Sequence, residues 1–417
     1  MHYFQYKDND LWCEEVPVER IAREVGTPLY LYSYRTMARH YMAFHEAFAL
    51  VPHIICYSVK ANSNLSVLQT FIKLGSGVDA VSGGEIFRAV KAGALPEKVV
   101  FSGVGKRADE IEYALKTGIL MFNVESPQEL QAINDIASRL STRAPVSLRV
   151  NPDVDPETHP YIATGLKKAK FGVDISIARE LYNHARSLKH LEIVGVDCHI
   201  GSQLTSVAPF IEALRKIKRL IQSIERDGIS VKYLDVGGGL GITYEDEAPP
   251  HPTKYGEAIL SEIKGLDLTL IFEPGRVLVG NAGILVTKVL YMKDGPEKRF
   301  VIVDAGMNDL ARPALYGSYH AIKPVKKVDG KEEIVADVVG PICETGDFIA
   351  RDRELPLFQQ GELMAVMGAG AYGFSMSSNY NSRPRVAEVM LKDGEFFVIR
   401  EREGFDDLIR GERMLEV

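Results

Sequence analysis

Tyr57-Ser58-Val59-Lys60-Ala61-Asn62 is the stretch on which the fold turns. The apolar run Ile54-Ile55-Cys56-Tyr57 reads as a buried strand, and the polar Asn62-Ser63-Asn64 that follows reads as a helix start. A lysine therefore sits at a strand's C-terminal end, at the mouth of a βα loop. There its amine can condense with an aldehyde, if burial lowers its pKa enough to free the lone pair. Taken alone, the stretch also reads as a solvated loop lysine.

Working outward, short apolar runs recur at Ile54–Tyr57, Val78–Val81, Val99–Phe101, Leu120–Val124, Val146–Val150, Val194–His199, Tyr233–Val236 and Leu268–Phe272. Each is short and rich in β-branched or aromatic residues, as buried parallel strands are. Between them lie segments of helical period, most clearly Val207, Phe210, Ile211, Leu214, Ile217, Ile221 and Ile224. Gly75, Gly93 and Gly118 fall just past helical patterns, where a left-handed C-cap is wanted. Such alternation over roughly 240 residues predicts a (β/α)8 barrel, with a doubly wound sheet as the competitor. The count of eight favours the barrel. So do the polar or glycine-rich signals after nearly every strand, because a barrel gathers them at one mouth. The connection from Asn151 to Ile193 is long and carries Pro and Thr, as loops at a site often are.

The flanks have a different rhythm. Residues 1–33 read as β-rich and irregular, with a strand at Pro28–Tyr32. After Gly283, strands are expected at Ile284–Tyr291, Phe300–Val303, Ile334–Val339, Leu363–Met367, Val386–Leu391 and Glu395–Ile399. The expected division is therefore N-terminal strands over 1–33, a barrel over 34–283, and a mostly β C-terminal domain over 284–417 that the N-terminal strands join.

Composition narrows the function. The 417 residues are 46% apolar with a net charge of -7, which gives no electrostatic footprint for nucleic acid. The polar, acidic start argues against a secretory signal, and no apolar run approaches the ~20 residues of a membrane span. A soluble cytoplasmic protein is expected. Cys13, Cys56, Cys198 and Cys343 are scattered, with no C-x-x-C spacing, so neither a metal site nor a redox motif is signalled.

The chemistry lies at the strand ends. Asp235-Val236-Gly237-Gly238-Gly239-Leu240-Gly241 follows the seventh strand, where barrels often bind phosphate. It lacks the G-x-G-x-x-G spacing, and Val104-Gly105-Lys106-Arg107 is not a Walker loop. A tight turn without a ligand remains open for the glycines. Glu273-Pro274-Gly275-Arg276 follows the eighth strand, either as a structural ion pair or as an acid and a guanidinium for two ligand groups. His199 ends the sixth strand, where a core histidine is the plain alternative, and Asp79 ends the second. A lysine, a phosphate loop, a flat stacking residue and an acid are together the parts of a pyridoxal phosphate site.

These motifs, with Tyr57-Ser58-Val59-Lys60-Ala61-Asn62, His199-Ile200-Gly201-Ser202-Gln203, Cys343-Glu344-Thr345-Gly346-Asp347 and Tyr380-Asn381-Ser382-Arg383-Pro384, resemble those of the diaminopimelate decarboxylases. These belong to the barrel-plus-β-domain (fold-type III) family of pyridoxal phosphate enzymes, which includes the ornithine and arginine decarboxylases. The likeness covers nearly the whole chain. It implies that Lys60 carries the cofactor, His199 stacks on its ring and Glu273 partners the ring nitrogen. Asp79 joins them at the cofactor. Gly238, Gly239, Gly275, Arg276 and Ser202 fall at the phosphate end. Arg276, Arg312, Tyr316, Glu344 and Tyr372 are implied for the substrate, meso-diaminopimelate, with Tyr372 also touching the cofactor. Cys343 is implied as the proton donor, supplied across a homodimer. The implied product is L-lysine, the end of its biosynthesis, and no metal is implied. A buried charge needs a partner, so Arg for the distal carboxylate and an acid for the distal ammonium suit that substrate. Decarboxylation of another basic amino acid, racemase-like chemistry and a non-catalytic binding homologue are the alternatives.

Overall fold

The computed structural model describes residues 2–155, 158–159, 162, 164–165 and 169–415. Part of the long connection after Asn151 thus lies outside the described residues. The chain divides into two compact units: one of residues 38–243 with 247–278, the other of residues 1–37, 244–246 and 279–417.

The first unit contains eight parallel strands: β1 (His53–Ser58), β2 (Gly77–Ala80), β3 (Val99–Phe101), β4 (Met121–Val124), β5 (Ala144–Asn151), β6 (Leu191–Asp197), β7 (Tyr233–Asp235) and β8 (Thr269–Phe272). Each pairs with the next, and β8 pairs back onto β1 with Ile271 opposite Ile54, so the sheet closes. The barrel is therefore present and the open sheet is excluded. All eight expected strands occur, Val99–Phe101 with the expected bounds and the others with ends shifted by at most three residues. The sixth stops at Asp197, so His199 lies two residues beyond its strand rather than ending it.

Residues two apart share a face of a strand. Cys56, Val100, Met121, Val194 and Ile271, from five strands, form one buried apolar cluster inside the barrel. Two residues further, along β1 and β4 and just past β3 and β8, lie Ser58, Asn123, Ser102 and Glu273, all buried. The barrel is thus apolar toward its base and polar where the strands end. On the opposite face, Tyr57 stacks on Phe71 of the helix Leu65–Lys73 at 4.4 Å between ring centroids. Burying a ring of that size is worth about 1.5–3 kcal/mol. That helix begins where the sequence signals it, since Asn64 accepts a hydrogen bond from the Ser66 amide.

The second unit is mostly β. Its main sheet runs Phe348–Pro356, Glu333–Val339, Arg299–Val303, Gly283–Asp294, Leu29–Ser33, Ala387–Lys392, Glu395–Arg400, with Leu363–Val366 branching off Gly283–Asp294 and Ile322–Pro324 pairing with Leu363–Val366. The N-terminal strand Leu29–Ser33 is central, antiparallel to Gly283–Asp294 and parallel to Ala387–Lys392. Phe4–Lys7, Asp10–Cys13 and Val16–Pro17 form a small separate sheet whose Phe4, Leu11, Cys13 and Val16 share the core of Leu31, Ile284 and Val389. Residues 1–33 also contain a helix, Val18–Val25, which a reading of irregular β structure missed.

Candidate active site

Lys60 sits in a single 3-10 turn, Val59–Ala61, between β1 and its helix. Its Nζ lies 2.7 Å from Asp79 Oδ2, which also accepts the Ser58 hydroxyl at 2.7 Å. The lysine side chain is one-third exposed while Asp79 is fully buried. The amine is thus ion-paired with Asp79 and not deeply buried.

Glu273 follows β8 directly and is buried. Its Oε1 accepts from Ser102 Oγ at 3.0 Å and Asn123 Nδ2 at 3.3 Å. Burial, reinforced by the Asp235 and Asp79 carboxylates, pushes its pKa well above the usual range. Asp235 is raised to about 8, by burial and then by Asp197. Asp197 is also well above its ordinary value, through burial and the charge of Glu273. Burial first and neighbouring carboxylates second thus favour the protonated acids in this layer, against the pull of Lys60 and Arg149.

His199 is held where β6 and β7 run out. The Gly238 amide donates to its Nδ1 at 3.1 Å, so the neutral ring keeps its proton on Nε2. Burial, then the Arg149 and Lys60 cations, pushes its pKa well below the ordinary histidine value. The 3.8 Å approach of Nδ1 to Glu273 Oε2 is therefore not an ion pair. A flat, uncharged imidazole suits stacking.

The glycines answer to close backbone approach. A Cβ on Gly238 would lie 2.2 Å from the Glu273 carbonyl oxygen, and one on Gly239 (φ +108°) 2.6 Å from the Gly201 carbonyl. A Cβ on Gly275 would meet Ser58 and Ala61 at 3.0 Å. The turns after β6, β7, β8 and β1 are thus drawn together. Arg276, buried after Gly275, donates from Nη2 to Ser202 Oγ at 3.2 Å.

These observations fit pyridoxal phosphate. A protonated ring nitrogen would provide the cation that Glu273 lacks, Lys60 would face the aldehyde, and the glycine turns with Arg276 and Ser202 would receive the phosphate. Among the described residues no group of three or more His, Cys, Asp or Glu is placed to hold a metal.

The remaining candidates lie in the second unit. Buried Arg312 opens the short helix Arg312–Tyr316; its Nη1 donates to the Tyr244 hydroxyl at 2.5 Å and its Nη2 to Ser318 Oγ at 3.2 Å. Half-buried Tyr316 ends that helix. Tyr372 holds a φ of +56°, sparsely populated for a non-glycine residue. Cys343 and Glu344 are exposed. The Cys343 amide donates to Asn381 Oδ1 at 2.7 Å, and the Tyr380 hydroxyl to Glu344 Oε2 at 2.7 Å.

Sequence reading missed the acids beneath the site, above all Asp197, and with them Ser102, Asn123 and Arg149. Arg149 bonds Glu125 Oε1 at 2.8 Å and comes within 3.9 Å of Asp197. The signal for Ser102 and Asn123 was a polar residue at the inward period-two position.

Residues 34–280 match the family model described as the pyridoxal binding domain of pyridoxal-dependent decarboxylases. A Vibrio cholerae protein named diaminopimelate decarboxylase is 52% identical over 410 residues, covering 98% of each chain. The Helicobacter pylori diaminopimelate decarboxylase solved with L-lysine superposes with a TM-score of 0.91 at 48% identity, covering 94% of this chain and 98% of that one. The enzyme of that name from M. jannaschii, also solved with L-lysine, gives 0.94 at 39% identity over 99% and 98%. With the lysine, the acid and the glycine turns in place at one barrel mouth, this chain belongs to the pyridoxal-dependent decarboxylases, in the diaminopimelate decarboxylase family.

Proposed function

We infer that the chain is the pyridoxal phosphate-dependent decarboxylase of meso-2,6-diaminopimelate, releasing carbon dioxide and L-lysine. The observation that carries the substrate is the end-to-end likeness, at about half identity, to relatives bearing that activity in their name. Bound pyridoxal phosphate supplies an aldehyde for the substrate amine and a protonated ring that accepts the electron pair left as carbon dioxide departs.

The protein's part is to bind, orient and move protons. Lys60 would offer its Nζ to the aldehyde, and Asp79 holds that amine by the 2.7 Å contact. Glu273 would hold the ring nitrogen and favour its protonated form, and neutral His199 would pack against the ring. Gly238, Gly239, Gly275, Ser202 and Arg276 hold the phosphate end. Arg276, Arg312 and Tyr316 take the substrate's distal carboxylate, Glu344 takes its distal ammonium, and Tyr372 touches both cofactor and substrate. The Cys343 thiol gives the proton that replaces the lost carboxylate. Exposure of Cys343 and Glu344 on the single chain supports their supply to a partner's site in a homodimer. No helix among the described residues is long and apolar enough to cross a membrane, and the expected setting is the cytoplasm.

Carbon dioxide release from meso-diaminopimelate, with and without added cofactor, tests this together with the visible spectrum. Cofactor-dependent release with lysine as product is expected, and ornithine, arginine and alanine are expected to turn over poorly. Preferred turnover of ornithine would overturn the substrate, and normal turnover by Lys60→Ala would overturn the mechanism.

A further inference from the structure

Asn123 lies near the end of β4, fully buried, and its Nδ2 faces three oxygens. These are Ser102 Oγ at 3.1 Å, Asp235 Oδ2 at 3.1 Å and Glu273 Oε1 at 3.3 Å. Its Oδ1 has no hydrogen-bond partner among the described residues. Reversing the amide would set an oxygen against three oxygens, so the network itself fixes the orientation.

Each partner leads to a different part of the barrel mouth. Asp235 Oδ1 accepts the Gly237 amide at 2.9 Å, and Gly237 opens the turn whose next amide, that of Gly238, holds His199. The Ser102 hydroxyl donates a hydrogen bond to the same Glu273 oxygen that Asn123 bonds. Glu273 is therefore gripped on Oε1 by two donors, and Oε2 is the oxygen left for a ligand. One amide thus joins the acid of β8 to the glycine turn of β7.

We propose that Asn123 is a positioning residue that couples Glu273 to the Gly237–Gly239 turn, so that one buried side chain sets both the ring-nitrogen end and the phosphate end of the cofactor site. The inference rests on the assignment of Glu273 to the ring nitrogen and of the glycine turn to the phosphate. Two acids and a hydroxyl in a dry layer do not hold a fixed geometry unaided, and the shared donor supplies the constraint.

The test is a double-mutant cycle on pyridoxal phosphate itself. Asn123→Ala and Glu273→Gln are made singly and together, and the cofactor's dissociation constant and bound absorption spectrum are measured without substrate. Asn123→Ala should weaken cofactor binding by about tenfold to a hundredfold, the range typical of outer hydrogen-bond partners at built sites. Its effect should shrink severalfold in the Glu273→Gln background, because the two act as one unit. Ser102→Ala, which removes a single donor, should show the same coupling at smaller amplitude and covers the case in which Asn123→Ala does not fold. Fully multiplicative effects would overturn the proposal and leave Asn123 a packing residue. Glu273→Gln with an unchanged bound spectrum would instead overturn the ring-nitrogen assignment on which it rests.

Discussion

Asp235 and Glu273 are two acids in one water-poor layer that disfavours their charged forms, and this has a measurable sign. Asp235 titrates at about 8 in the folded chain against about 3.9 when unfolded. Between those values the folded state holds a proton that the unfolded state has lost, so stability falls as pH rises. His199 acts oppositely, but only below about 6.5, because its folded pKa is depressed and its contribution is complete above the unfolded value. From pH 7 to 8 the acids therefore dominate in this layer. The melting temperature of the cofactor-free protein should fall over that window, and Asp235→Asn should flatten the fall; a rising melting temperature would contradict the assignment. Residues of this layer were unequally legible in the sequence. Lys60, Glu273 and the glycines stand where apolar runs stop, so they announce themselves. Asp197 does not, because the register of β6 shifts between Ile193 and Gly195. That irregularity resets the inward alternation, and counting by twos from Val194 points to Val196.

At the scale of elements, the turns after β7 and β8 meet so closely that Gly238 has no room for a methyl group. Gly238→Ala should destabilise the protein by about 1–3 kcal/mol through overpacking and weaken pyridoxal phosphate binding, as read by thermal melts and cofactor titration. The Cys343–Glu344 loop is held differently, by Tyr380 and Asn381 on a neighbouring turn in which Asn381 and Ser382 both have positive φ. Tyr380→Phe removes the bond to Glu344 and should raise the KM for meso-diaminopimelate about threefold to tenfold, with kcat little changed, the size of one exposed hydrogen bond. The eight barrel strands were readable because burial on both faces makes them continuous apolar runs. Phe348–Pro356 was not, since it is an edge strand whose Arg351, Asp352, Arg353 and Glu354 read as a loop.

For the whole molecule, the proposed sharing of sites predicts complementation between inactive chains. Lys60→Ala and Cys343→Ala proteins mixed in equal amounts should regain about a quarter of normal activity, because half of randomly assorted dimers are hybrids and each hybrid keeps one intact site. No recovery, with exchange demonstrated by mass, would count against the shared site. A separate consequence follows from Leu29–Ser33, which lies in the middle of a sheet between Gly283–Asp294 and Ala387–Lys392. On the ribosome, that segment emerges well before either neighbour. Until they emerge it is an unpaired, apolar ribbon awaiting partners some 250 and 360 residues downstream, a loop-closure problem of the kind that slows assembly. The β unit should therefore become protease-resistant later than the barrel, and a chain stalled before Ala387 should leave Leu29–Ser33 as a sticky edge for other nascent chains.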